Sequence, residues 1–228
     1  MEIKRLSLIE GSKQAKGLTV VIDVFRAFTT AAYVMANGAL RIHPVGTLDE
    51  AFALKERHPD WVLMGERGGR PVPGFDYGNS PHKVKDVNFR GRVVVQSTSA
   101  GTQGIVNASG AEEILPGSFV MADAIIDHIR DRSPKVLSLV AMGWNGRERS
   151  PEDELLAEYI ETRLRGRKPD FKAMVEQIRA HPEGAKFFDP SQPDFVEGDF
   201  HCAMDLNRFN FCLRVAPGSP PAIVMCNR

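Results

Sequence analysis

Strand-like runs alternating with helix-forming stretches constrain this chain more than any other feature. Residues 18–24, 40–45, 61–64, 92–96, 113–115 and 135–141 are short runs rich in apolar residues, as buried strands require. Helical patterns over residues 27–37, 47–57, 97–108, 122–130 and 150–164 stand among them. Their ends carry start and stop signals. Asn37-Gly38 closes one helix, Thr47 with Glu50 forms a capping box, and Ser150-Pro151-Glu152-Asp153 is an N-cap, a proline and two acids. This alternation predicts an α/β fold: a largely parallel or mixed sheet with helices on both faces, in three layers. Residues 171–180 and 184–188 read as further helices, and 213–215 and 222–225 as strands. One α/β domain over residues 1–228 is expected, with 169–210, where the alternation lapses, as a small cap or C-terminal lobe.

Residues 65–81 break the pattern. The segment GERGGRPVPGFDYGNSP carries too many glycines and prolines for a helix or a central strand and reads as a long loop. It follows the apolar run at 61–64 and contains Phe75 and Tyr77, so it has apolar anchors. Long ordered loops in compact domains are usually functional. Glu66, Arg67, Arg70, Asp76, Asn79 and Ser80 share this one, which points to an anion site with a metal or a general acid nearby.

Of the 228 residues, 43% are hydrophobic and 25% charged, enough for a substantial core. Lys+Arg and Asp+Glu are both 29, so nothing in the charge favours nucleic acid or a membrane surface. No apolar run approaches the roughly 18 residues of a membrane helix. The three cysteines, Cys202, Cys212 and Cys226, have neither CxxC nor zinc-ligand spacing and read as buried fillers of a cytoplasmic protein. The size is compatible with a homodimer, for which no interface is legible.

Three strand ends share one design. Asp23 and Arg26 follow the run at 18–24. Ser97, Thr98, Gly101 and Thr102 follow the run at 92–96. Gly143, Gly146 and Arg147 follow the run at 135–141 and lead to Glu152 and Asp153. In open α/β sheets ligands bind beyond the carboxyl ends of strands, and helix N-termini there suit phosphate. Asp23 interrupts an apolar strand, which is costly unless it is paired, metal-bound or catalytic. Arg26, Arg67, Arg70 and Arg147 are candidate anion clamps. The hydroxyls at 97–102 are either ordinary helix caps or a phosphate cradle, and they are not a P-loop.

With these residues in view, the chain resembles the 2-phosphosulfolactate phosphatase (ComB) family. The matching segments are Asp23-Val24-Phe25-Arg26-Ala27 with Thr29-Thr30, Ala36-Asn37-Gly38-Ala39, Gly65-Glu66-Arg67, and the run PGFDYGNSP at 73–81. Ser97-Thr98, Gly101-Thr102, Gly143, Ser150, Glu152 and Asp153 match later parts of the family pattern. Ala100 stands where the family commonly has Asn, and Met142 where it often has Cys.

The resemblance implies a magnesium-dependent phosphatase that takes 2-phosphosulfolactate, a small phosphorylated and sulfonated acid, to sulfolactate and phosphate on the way to coenzyme M. Catalytic roles are expected for Asp23, Arg26, Glu66 and Asp76. Substrate contacts are expected from Arg67, Asn79, Ser80, Ser97, Thr98, Gly101, Thr102 and Arg147. Magnesium is expected on Asp23, Glu66, Asp76 and Asp153. The alternatives are another small phosphoester as substrate, or an anion-binding regulatory protein without catalysis.

Overall fold

The computed structural model describes residues 1–226. Its strands are β1 (Glu2–Ser7), β2 (Gly17–Ile22), β3 (Arg41–Pro44), β4 (Val62–Arg67), β5 (Arg70–Pro71), β6 (Val93–Ser97), β7 (Ala111–Gly117), β8 (Val136–Ala141), β9 (Leu213–Ala216) and β10 (Ala222–Met225). Its helices are α1 (Leu8–Gln14), α2 (Ala27–Ala36), α3 (Leu48–Arg57), α4 (Pro81–Val84), α5 (Gly101–Asn107), α6 (Ala122–Arg132), α7 (Pro151–Leu164), α8 (Phe171–Ala180), α9 (Pro182–Ala185) and α10 (Glu197–Ala203), with 3-10 turns at Phe119–Met121 and Lys186–Phe188.

The α/β class holds, and the parallel strands divide between two sheets. The first has the order β1-β8-β2-β7, all parallel. The second has the order β5-β4-β6-β3-β10-β9, with β4, β6 and β3 parallel and β5, β10 and β9 antiparallel to their neighbours. β9 packs alongside β7, so the edge of one sheet meets the edge of the other.

Burial explains which strands were readable. Every residue of β2 and of β6 is buried, and such strands appear as continuous apolar runs. β7 and β8 lie close to their expected bounds, and β10 at them. β1 and α1 carry no such signal: β1 lies at the sheet edge and none of its residues is fully buried. α7 packs on β2 and β8 and against α6, while α5 packs on β2 and against α1 and α2. The core between them is aliphatic, with Val20, Val21, Ile22, Leu115, Ile125, Ile129, Leu139 and Leu156 all below 1% exposed.

The Thr47 cap forms as expected: its side chain accepts from Glu50 N at 3.1 Å, and Glu50 reaches back to Gly46 N at 3.3 Å. The loop begins later than its composition implies. β4 runs on through Gly65 and Glu66 to Arg67, then turns at Gly68 and Gly69 into β5. Gly65 makes this possible: at φ +150° beside Ser97 of β6, a Cβ would meet the Ser97 carbonyl. From Asp76 the chain folds back on β4, with Asp76 N and Tyr77 N donating to Leu63 O at 3.0 and 3.1 Å. No helix among the described residues is long and apolar enough to cross a membrane.

Candidate active site

The carboxyl ends of β2 and β8 in one sheet and of β4 and β6 in the other converge on one pocket. Asp23 and Arg26 come from the β2 end, Glu66 and Gly69 from the β4–β5 turn, and Ser99 and Ala100 from the β6 end. Gly143, Trp144 and Asn145 come from the β8 end, with Asn79 and Phe195 completing the wall. The cavity holds about 20 Å³, space for an ion or a water molecule. A groove of about 520 Å³ adjoins it through the shared residues Ser99, Trp144 and Asn145, and adds Arg67, Thr98 and Arg147. The inner pocket is ion-sized and the outer groove is substrate-sized.

Two carboxylates, Asp23 and Glu66, line the inner pocket and a third, Asp153, lies behind it, each pinned by backbone N–H groups. Asp23 accepts from Ala27 N at 3.0 Å at the start of α2 and from the Gly101 N–H at the start of α5. Glu66 accepts from Gly69 N and Ser99 N, both at 2.6 Å, and from the Ser99 hydroxyl at 3.2 Å. Asp153, in the first turn of α7, accepts from Val24 N and Gly143 N, both at 2.8 Å. It thereby ties the β2 and β8 ends together.

These acids repel one another. Burial, with the Glu66 charge adding to it, pushes the Asp23 carboxyl up to about 6. Burial and the charges of Glu152 and Asp23 raise Asp153 well above the usual carboxylate range. Glu152, its buried neighbour, is pushed up to about 7, chiefly by burial.

The Arg26 charge lowers the Asp23 carboxyl, but as the least of these influences. Its guanidinium is 5% exposed and pairs at 2.8 Å with Asp199 of α10, which is fully buried. It also donates to Asp194 O and Gly69 O, both at 2.8 Å, and stacks over Phe195. Arg26 is a strut that fastens the β4–β5 turn and the 189–203 segment to the β2 end. Ser80 works with it, donating to Asp199 at 2.6 Å.

The remaining expected residues separate into two groups. Arg67, Thr98 and Arg147 line the groove and Asn79 the inner pocket. The Asn79 Oδ1 is buried with no hydrogen-bond partner among the described residues. Gly101 lies against Asp23, whereas Ser97 accepts from the Arg67 guanidinium at 2.7 Å, and the Thr98 hydroxyl accepts from Thr102 N in the first turn of α5 at 3.1 Å. Asp76 is not brought to the pocket. Its carboxylate accepts from Leu63 N at 2.8 Å and Lys55 at 3.2 Å, which pins the loop to β4 and α3. Among the described residues, no three of Asp23, Glu66, Asp76 and Asp153 form a ready-made metal cluster.

The donor set nonetheless fits a hard cation. Asp23, Glu66 and the Asn79 Oδ1 are all oxygen donors on an ion-sized pocket, and among the described residues no ion pair to Asp23 or Glu66 forms. Magnesium commonly takes one or two carboxylates and keeps water on its other positions, so it needs no three-carboxylate cage.

The pattern that defines the 2-phosphosulpholactate phosphatase family matches residues 4–185. The chain belongs to this family of phosphatases. A probable 2-phosphosulfolactate phosphatase of Bacillus subtilis (strain 168) is 34% identical over 211 residues, 90% of this chain and 90% of the relative. One from Prochlorococcus marinus (strain MIT 9303) is 30% identical over 224 residues, 87% of this chain and 89% of the relative. One from Carboxydothermus hydrogenoformans (strain ATCC BAA-161 / DSM 6008 / Z-2901) is 41% identical over 130 residues, 57% of this chain and 54% of the relative.

In this family member three pocket residues escaped the motif-based reading or were not singled out in it: Asn145, Trp144 and Phe195. Asn145 adopts φ +53°, a left-handed turn that the Asn-Gly pair could have signalled. Trp144 and Phe195 meet at 6.1 Å, with Lys186 over both rings. Phe195 and Asp199 come from the segment where the alternation lapses, and no motif marks either.

Gly101 is the tightest contact behind Asp23: a Cβ there would lie 2.7 Å from the Asp23 carboxylate and 2.8 Å from the Ala27 Cβ. Gly101→Ala is therefore expected to destabilise the protein by about 1–3 kcal/mol and to displace Asp23. Urea unfolding and the phosphatase rate check it together. An unchanged midpoint with an unchanged rate would contradict this packing.

Proposed function

We propose that this protein is a magnesium-dependent phosphoric monoester hydrolase that converts 2-phosphosulfolactate to sulfolactate and phosphate. The observation that carries the reading is the pairing of two spaces. One is an ion-sized pocket of oxygen donors centred on Asp23, and the other is an adjoining groove with Arg67 and Arg147. Membership of the family and the names of its relatives support the same substrate.

In this reading Asp23, Glu66 and Asn79 hold the cation, and Asp153 fixes the β2 and β8 ends behind it. When bound, magnesium neutralises charge on the phosphoryl oxygens and lowers the pKa of a bound water. Arg67, held by Ser97, and the freer Arg147 bind the sulfonate and carboxylate of the substrate, for which the guanidinium fork is suited. The Asn145 amide, shared by pocket and groove, orients the phosphoryl group between them. Trp144 and Phe195 keep bulk water from the inner pocket, which strengthens each electrostatic contact there. The Asp23 carboxylate accepts two backbone N–H groups, which suits it to holding a ligand in place more than to attacking phosphorus. Water is thus the nucleophile in this account.

The test is phosphate release from a panel of phosphorylated hydroxy acids, with magnesium and with a chelator. Magnesium-dependent turnover is expected to be fastest on 2-phosphosulfolactate. Arg147→Ala is expected to raise KM about tenfold or more with a smaller change in kcat, the signature of a lost binding contact. Equal rates in chelator would remove the metal from the account. A faster, unsulfonated substrate would keep the phosphatase and change its substrate, a possibility that Ala100 on the pocket wall makes worth including.

A further inference from the structure

We propose a second metal site, for a thiolate-binding divalent cation such as zinc, formed by His128, Cys212 and Cys226, none of which lines the candidate active-site pocket. The sequence spacing conceals it, because the three residues come from α6 and from the two ends of the C-terminal hairpin. Antiparallel pairing of β9 and β10 sets Met225 opposite Leu213, so the next residues outward, Cys212 and Cys226, face each other. Cys226 N donates to Cys212 O at 2.9 Å, which fixes that register.

One ligand atom from each of His128, Cys212 and Cys226 lies within 4.8 Å of the others. Ligands about 2.3 Å from a tetrahedral zinc ion stand roughly 3.8 Å apart, so small side-chain movements suffice. The two sulfurs meet at the open end of the hairpin, where as thiolates both could bind one ion. Glu113 of β7 accepts from His128 Nε2 at 3.0 Å and pairs with Arg132 at 3.2 Å through its other oxygen. A carboxylate on the ring is the usual outer partner of a ligating imidazole. All three ligands border one cavity of about 470 Å³, which gives the ion an entry path and leaves a fourth position for water.

The location suggests what the site does. Cys212 and Cys226 bracket the β9–β10 hairpin at the edge of the second sheet, Glu113 belongs to β7 at the edge of the first sheet, and His128 to α6. A bound ion would clasp the two sheets where β9 meets β7. Sulfur and imidazole donors select zinc-like ions over magnesium, so the two sites are chemically distinct. This inference does not depend on the phosphatase reading.

The test uses the full chain purified under reducing conditions and treated with a chelator, then titrated with cobalt(II) in excess magnesium to occupy oxygen sites. One equivalent of cobalt is expected to develop thiolate-to-metal charge-transfer absorption, and zinc is expected to abolish it by displacement. Cys226→Ser and Cys212→Ser should each sharply weaken that absorption, and Glu113→Gln should weaken cobalt binding about 10–100-fold. Cys202→Ser should leave it unchanged. Absence of the band in the reduced wild-type protein would overturn the proposal. A band unaffected by Cys212→Ser and Cys226→Ser would also overturn it.

Discussion

Asp23→Asn is expected to lower the phosphatase rate by about 10²–10³-fold or more, the range seen when one fixed electrostatic contact to a reacting phosphoryl or acyl group is lost. Its effect on stability should run the other way. In the metal-free protein the Asp23 carboxyl sits near 6 because burial, and then Glu66, oppose its charge. Below its ordinary value near 3.8 it is protonated in folded and unfolded chains alike, and the folded state carries no penalty. As pH rises from about 4 to about 6 the unfolded chain ionises first, so the folded state loses stability, by roughly 3 kcal/mol in total. The asparagine variant has no such loss. The measurable quantity is the difference in urea-unfolding free energy between the two proteins in chelator, as pH is raised. Wild type should fall relative to the variant across that window, and magnesium should restore it. A difference that does not change with pH would mean that Asp23 is not buried among like charges.

Arg26→Met is expected to cost about 3–5 kcal/mol of stability, because it leaves the Asp199 carboxylate buried and unpaired. The replacement nearly keeps the side-chain volume, so lost packing is a small part of that figure. Adding Asp199→Asn should recover much of the loss, since the uncompensated charge is then gone. This pair separates two roles for Arg26. If it were mainly a phosphate clamp, the single variant would fold about as well as wild type and show a raised KM. As a strut it should lower the unfolding midpoint first, with the rate falling because Gly69 O, Asp194 O and Phe195 are released together.

The same distinction explains what was legible in the sequence. β2, β6 and β8 could be read because strands buried by neighbours on both sides are nearly all apolar. The Asp23 end of β2 could be read because a carboxylate following such a strand needs a reason. The division into two sheets could not be read, since it depends on which strand edges pair across long stretches of chain. β1 was missed because an edge strand that mixes Glu2, Lys4 and Arg5 with two aliphatic residues shows little of its burial in the sequence. Charged residues of the 65–81 segment looked equivalent, yet Glu66 faces the pocket and Asp76 pins the loop to β4. Only the backbone N–H groups each one meets tell them apart. Asp199 and Phe195 had no local pattern at all, and the Cys212–Cys226–His128 group exists only through strand register.

The central claim is that magnesium and the phosphoryl group meet at Asp23, between the strand ends of the two sheets. A crystal structure of the protein with magnesium and inorganic phosphate tests it most directly. The account predicts an ion within coordination distance of Asp23 and of Glu66 or Asn79, with phosphate lying toward Asn145 and the Arg67–Arg147 groove. An ion and phosphate bound together without Asp23, or an ion held by Asp76, would contradict it.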